Sequence, residues 1–351
     1  MAIVPVSAAF ASDNAAPAHP AALAALAHAN GGPAPSYGDD VVTAQAAAAL
    51  REAFDSPGAE VLYAFTGTAA NIIALSSAVQ PWHEILCSDV AHVLLDEAGG
   101  PVRLSGAQLT RIPSTDGIIA TDELDRRVSR RGPVHHSQPR IVTITQSTEN
   151  GRVWSASAIK GFVDHAHDLG LLVHIDGARV ANAIAAQQVP PIDAVGDADI
   201  VTVGGTKNGM VFGDAILVRR PEHFPGIGFV QKQIGHLASK HRFVAAQFLA
   251  MLEDDLWLRT AAHANEMAAV LGTGLQDAGF ALASPVEANE VFVRLDPSAV
   301  ERLSQSYQVH QPDLGEPVWR LVCSWATTRA EVDDVLATLG TGHTHSGSPD
   351  A

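Results

Sequence analysis

At 351 residues, 47% of them hydrophobic and 17% charged, the chain is long enough for one large or two ordinary domains around a sizeable core. A formal net charge of −16 argues against nucleic acid or an anionic membrane as the main partner, and no apolar run reaches the roughly 18 residues that span a bilayer. Two cysteines, Cys87 and Cys323, are too few for a disulfide framework, so the cytoplasm is the expected compartment.

The first residues, MAIVPVSAAFAS, lack the basic start of a secretory signal and read as mature sequence. After Ser12-Asp13-Asn14 and an alanine-rich stretch, GGPAPSYGDD reads as an ordered loop carrying Tyr37. A helix is expected over Val42–Phe54 and a strand over Glu60–Phe65, closed by Thr66-Gly67-Thr68. Thr68 is the expected N-cap of the helix AANIIALSSAV. A strand, a tight turn and a capped helix leave backbone N–H groups aimed at one spot, which suits a phosphate; an ordinary βα turn has the same pattern.

The strand His83–Ser88 is followed by AHVLLDEAGG, which sets His92 and Glu97 about one helical turn apart. Leu109–Ile112 is an expected strand, TDELDRRVSRR a charged helix, and PVHHSQP, with His135 and His136, a loop before the strand Arg140–Gln146. In Ser155–Leu169 the apolar residues Ile159, Phe162, Val163 and Ala166 keep helical spacing, and the strand Leu171–Asp176 follows. Asp176 therefore falls at a strand's C-terminal end, where ligands bind in open α/β sheets, with Arg179 nearby. The two also fit a structural ion pair.

In DIVTVGGTKNGMVFGD a short β-branched strand delivers Lys207 into a glycine-lined loop, and a second strand begins at Ala215. The loop reads equally as a solvated turn and as the seat of a Schiff-base lysine, whose amine is reactive when partly desolvated. GGTKNG argues against a Walker phosphate loop, since threonine precedes the lysine and no Ser or Thr follows it. Beyond Gly235 a long helical stretch is expected, then strand NEVFVRL, helix, strand PVWRLVCSW and helix AEVDDVLATL. The expected organisation is an N-terminal segment 1–20, a large α/β domain 21–256 with a mostly parallel sheet, a smaller α+β domain 257–340 and a disordered tail 341–351. No CxxC, HExxH or carboxylate spacing suggests a metal.

Taken together, SDN, YGDD, TGT before a helix, AHVLLDEAGG, HIDGAR, GGTKNG and a late RLV strand resemble the threonine aldolases, pyridoxal-phosphate enzymes of the aspartate-aminotransferase fold type. The resemblance spans nearly the whole chain in family order. It implies that Lys207 carries pyridoxal 5'-phosphate as a Schiff base, that Asp176 keeps the pyridine nitrogen protonated, and that His92 stacks on the ring within reach of proton transfer. Gly67 and Thr68 match the phosphate cup, with Lys240 or Arg242 as its basic group. Ser12, Tyr37, Arg179 and Arg320 match the substrate site, with Ser12 and the two arginines gripping the carboxylate.

Such a clamp orients Cα–Cβ, rather than Cα–H, perpendicular to the cofactor plane. His135 is assigned by the resemblance to the β-hydroxyl, and His92 or a held water is the rival base. The implied reaction splits L-threonine or L-allo-threonine into glycine and acetaldehyde. A β-eliminating lyase on the same fold is the nearest alternative, and a non-catalytic protein that kept the fold is a remote one. The chain departs from the family in WRLVCSW, where a histidine is expected, and in ITQSTENG, which replaces an asparagine-threonine-histidine pattern. These departures point to a pocket that accepts bulkier substrates such as phenylserine. A homodimer or homotetramer with shared sites is implied as well.

Overall fold

The computed structural model describes residues 6–312 and 317–340; the tail expected to be disordered lies outside the described residues. In chain order the strands are β1 Glu60–Ala64, β2 His83–Ser88, β3 Gln108–Ile112, β4 Ser114–Thr115, β5 Ile118–Ile119, β6 Gln138–Thr145, β7 Leu172–Gly177, β8 Ile200–Gly204, β9 Asp214–Val218, β10 Glu290–Arg294 and β11 Val318–Val322. Seven of them form the main sheet, in the order β1-β9-β8-β7-β6-β2-β3. The run β8-β7-β6-β2-β3 is parallel, and β9 is antiparallel to both β8 and β1. The α/β expectation with a mostly parallel sheet therefore holds.

Side chains alternate across this sheet as a two-residue period requires. Val173 and Ile175 face one apolar layer together with Val142, Ile144, Val201 and Val203. Leu172 faces the other, with Ile141, Ile200 and Ile216. Helix Ala156–Asp168 buries the four residues that its periodicity selects, Ile159, Phe162, Val163 and Ala166, in the first layer. Helix Gly67–Ala78 buries Ala70, Ile73 and Ala74 in the second.

The helical stretch expected after Gly235 is divided at a charged turn, and a further helix precedes it. Helices Ile227–Gln233, Arg242–Leu252 and Leu256–Asp277 are separate. Between the last two, Asp254 and Asp255 adopt left-handed φ values of 50° and 54°, a conformation that aspartate tolerates better than most residues because its side chain is short and polar. The break falls on Glu253-Asp254-Asp255, a charged turn that interrupts the apolar stripe.

A third apolar cluster contains Met267, Leu271 and Leu275 of helix Leu256–Asp277, Val291 and Val293 of β10, Leu321 of β11, and Phe10 near the N-terminus. Phe10 packs edge-on against Tyr307, with ring centroids 5.3 Å apart. Trp257 and Ala261, one end of the same long helix, belong to the first cluster. That helix is thus shared between two cores and ties them mechanically. None of the described helices is long and apolar enough to cross a membrane.

Candidate active site

Because β6, β7 and β8 run parallel, their C-terminal ends share one sheet edge, and β1, antiparallel to β9, ends there too. Asp176 is the penultimate residue of β7, Lys207 follows β8, Gly67 follows β1 and His92 follows β2. Residues separated by up to 140 positions therefore converge by topology.

Lys207 sits in a 3-10 turn, Thr206–Asn208, and is partly buried. The turn is held on both sides. Asp214 Oδ1 accepts hydrogen bonds from the N–H groups of Gly205 (2.9 Å) and Thr206 (3.4 Å), and Asn208 Nδ2 donates to the Trp257 carbonyl at 2.8 Å. Gly209 has φ +101°, and a Cβ there would meet His19 and Trp325 at 3.2–3.3 Å. His19 N–H donates to the Gly209 carbonyl at 2.7 Å, and Trp325 Nε1–H donates to the Pro17 carbonyl at 2.9 Å. Trp325, from the departing WRLVCSW motif, thus helps to strap the N-terminal segment over the lysine loop.

Asp176 is buried at 4% exposure. Asn71, on helix Gly67–Ala78, donates through Nδ2 to Asp176 Oδ2 (2.7 Å) and to Glu97 Oε1 (2.9 Å), spending both of its amide protons on carboxylates. His92 Nδ1 lies 3.0 Å from the same Glu97 oxygen. The His92 backbone N–H donates to Glu149 Oε1, which also accepts from Thr145 Oγ1. The hydrogen bond to Glu97 raises His92 above the usual imidazole value, against its burial. Burial raises both Glu97 and Glu149. Behind them His174, bonded to Thr143, is pushed down to about 4 by burial and is neutral. His92, Glu97 and Asp176 have ligand atoms within 4.8 Å of one another; Asn71 and His92 occupy Glu97 Oε1, while Glu97 Oε2 is buried without a partner.

At the start of helix Gly67–Ala78, Thr66 rather than Thr68 is the N-cap, its side chain accepting from Ala69 N–H at 3.2 Å. The helix begins two residues earlier than expected, so Gly67 and Thr68 lie in its first turn, where N–H groups have no helical partner. A Cβ on Gly67 would come within 2.8 Å of Asp214 Oδ2, so only glycine lets this turn approach the lysine loop. Segment 231–240 packs over the turn: Gln231 Nε2 donates to the Tyr63 carbonyl, and Phe65 N–H donates to His236 Nδ1.

Lys240 is exposed on this segment. Arg242 is not free to compete with it. Its guanidinium is buried, and Nε donates to the Ala29 carbonyl at 2.9 Å, at the end of helix Pro20–Ala29. Arg242 is therefore corrected to a helix-end clamp, a role in which a cation meets unpaired carbonyls. Tyr37 is 48% exposed, with its N–H donating to the Ser239 carbonyl and the Lys232 ammonium 4.5 Å above its ring.

Ser12, Arg179 and Arg320 are brought toward one another through two acids, Asp13 of the SDN motif and Glu290 of β10. Arg179 Nε and Nη2 donate to Asp13 at 2.7 and 3.0 Å. Arg179 Nη2 is also 3.5 Å from Glu290 Oε1, and Arg320 Nη1 is 3.6 Å from that same oxygen. Asn289 Nδ2 donates to Asp13 and to the Cys323 carbonyl, while Ser12 Oγ accepts from Asn14 N–H. Burial works to raise Asp13, but Arg179 and Lys207 outweigh it and hold the carboxyl below its usual value. The fork of Arg179 is thereby taken by Asp13; Arg320 keeps its Nε without a partner.

His135 does not join this edge. It is exposed in the loop before β6 begins at Gln138, whereas the site lies beyond Thr145, which pairs with Asp176. Seven strand steps put the two ends roughly 23 Å apart. Glu149, in the departing ITQSTENG stretch, occupies the productive end, and acids such as Glu149 and Glu290 have no local signal because their partners are distant in sequence.

A lysine loop, a buried aspartate and a helix start thus share the carboxyl edge of a parallel sheet beside an arginine-rich cluster, the edge at which open α/β folds bind ligands. The family model for beta-eliminating lyases matches residues 9–298. A low specificity L-threonine aldolase of a Pseudomonas species is 40% identical over 334 residues, covering 94% of this chain and 96% of the relative; that of Pseudomonas aeruginosa is 40% identical, covering 91% and 93%. A threonine aldolase structure from Leishmania major superposes with a TM-score of 0.89 at 27% identity, covering 94% of this chain and 98% of that one. The chain belongs to the threonine aldolase branch of the beta-eliminating lyase family.

Proposed function

We propose that the protein cleaves L-threonine and L-allo-threonine to glycine and acetaldehyde with pyridoxal 5'-phosphate as cofactor. The observation that carries the reading is a lysine amine and a buried, Asn71-bonded carboxylate, Asp176, on one sheet edge. This donor set fits the cofactor. Lys207 can link to an aldehyde, Asp176 can keep a ring nitrogen protonated, and the first-turn amides of Gly67 and Thr68, with exposed Lys240 nearby, suit a phosphate. When bound, the cofactor supplies an electron sink for the pair released at Cα.

The remaining work falls to the chain's own groups. Arg320 and Ser12 hold the substrate carboxylate while Arg179, locked on Asp13, positions them. His92 uses Nδ1 on Glu97, which leaves Nε2 to receive the β-hydroxyl proton as the Cα–Cβ bond breaks and the aldehyde departs. Within one chain His135 lies away from this edge, and His92 is the base of this reading. Tyr37 lies at the rim. Phenylserine is proposed as a further substrate, and a cytoplasmic homodimer or homotetramer as the working form.

The test is to incubate the cofactor-loaded protein with threonine, allo-threonine, phenylserine and β-chloroalanine and identify the products. Acetaldehyde and glycine from threonine are expected, with benzaldehyde from phenylserine. Pyruvate from β-chloroalanine with no acetaldehyde from threonine would replace the reading with β-elimination.

A further inference from the structure

Glu290 is 1% exposed, and neither of its carboxylate oxygens has a hydrogen-bond partner. It nevertheless sits within 3.6 Å of two guanidinium groups, Arg179 and Arg320. Asp13, the other acid of the clamp, is held quite differently, with two hydrogen bonds from Arg179 and one from Asn289. The clamp therefore contains two arginines already balanced by two carboxylates, one tightly bonded and one only in electrostatic contact.

A substrate carboxylate would be a third anion in this buried space. Two like charges in one low-dielectric site cannot both stay ionised without cost, and the more weakly held group is the one that takes up a proton. The groups facing Glu290 are Arg179 from the turn after β7, Arg320 from β11, Asp13 from the N-terminal 3-10 turn and Lys207 from the turn after β8. Asp13 is fixed by its hydrogen bonds and the three others are cations, which leaves Glu290 as the group that yields.

We propose that Glu290 is the resident anion of the carboxylate clamp: it balances Arg320 in the free protein and takes up a solvent proton when a substrate carboxylate binds there. Burial raises Glu290 while Arg179 and Arg320 oppose the rise, which is consistent with a carboxyl that titrates on binding. The arriving carboxylate removes the share of Arg320 that kept Glu290 ionised and adds a negative charge beside it, so it raises the Glu290 pKa further. Carboxylate affinity is then full below the free-state value and declines as pH rises through it, by up to about tenfold per pH unit for one linked proton. Glu290 is a positioning residue here, acting through Arg320. The inference rests on the carboxylate clamp of the proposed function.

The experiment uses 3-hydroxybutyrate, which has the carboxylate and β-hydroxyl of threonine but no amine, so it leaves the lysine linkage untouched. Calorimetric titration of the cofactor-loaded wild type, in two buffers of different ionisation enthalpy, counts protons taken up between about pH 6 and 9. Uptake is expected to pass through a maximum between the free and bound values of Glu290 and to be absent for Glu290→Gln, whose affinity should also be flat across this range. Equal pH dependence in the two proteins overturns the proposal, and so does failure of 3-hydroxybutyrate to bind while glycine still binds. Zero uptake by the wild type overturns it without reference to the variant, should that fold poorly. Proton-linked binding without acetaldehyde from threonine would sustain the clamp and sink the aldolase reading; acetaldehyde without proton linkage would do the reverse.

Discussion

Replacing Asp13 by asparagine removes the acid that occupies the Arg179 fork while preserving shape. Arg179 and Asp13 side chains are only 10% and 1% exposed, so the guanidinium cannot turn to water. Breaking a buried pair from one side typically costs about 3–5 kcal/mol. Glu290, 3.5 Å from Arg179 Nη2, remains as partial compensation, which puts the expected loss near the low end, about 3 kcal/mol. For a chain of this size that is a fall in Tm of roughly 4 °C.

The assay is urea unfolding of the cofactor-loaded protein at fixed cofactor concentration. A second variant makes the argument specific: adding Arg179→Gln to Asp13→Asn removes the stranded cation and should restore at least about 1 kcal/mol through their coupling. Threonine turnover should nevertheless stay depressed by about 10–100-fold, since misplacing a positioning group costs that order of rate. A double variant no more stable than Asp13→Asn alone would refute the reasoning, because the penalty would then not come from an uncompensated Arg179.

The other predictions concern the lysine edge. Lys207→Ala should abolish turnover and lose the cofactor mass that borohydride reduction fixes on the wild type, read by mass spectrometry. Gly67→Ala, whose Cβ would press within 2.8 Å of Asp214 Oδ2, should weaken cofactor binding by about tenfold or more, measured by fluorescence titration. Asn71→Ala leaves Glu97 and Asp176 without their shared donor and should cost about 1–3 kcal/mol in unfolding free energy; an unchanged value would mean water replaces the amide. His92 and Glu97 both hold a proton more tightly in the folded protein than unfolded. Their contribution to stability is therefore present at low pH and is lost as pH rises through their raised values. Glu97→Gln should shift the pH at which kcat falls on the acid side to lower values, as His92 loses the bond that raises it.

The sheet layers and the lysine were legible because they are local. Alternation along β7 and the four-residue apolar face of helix Ala156–Asp168 follow from the backbone periods, and burial then selects their orientation. The position of Asp176 at a strand end also follows from its place after a β-branched run. Sequence by itself thus determined the α/β order, the glycine-lined turns and which amine could be chemical.

Tertiary structure decided which charges meet. Asp13, Glu290 and Asn71 lie far in sequence from Arg179, Arg320 and Asp176, and no local pattern joins them. The same dependence put Arg242 on the Ala29 carbonyl and leaves His135, within one chain, at the other end of β6 from Asp176. Strand periodicity fixes a residue's face, but the C-terminal edge becomes a site only when parallel pairing brings several strand ends together. There burial strengthens each charge–charge contact, so the site's chemistry belongs to the assembled edge.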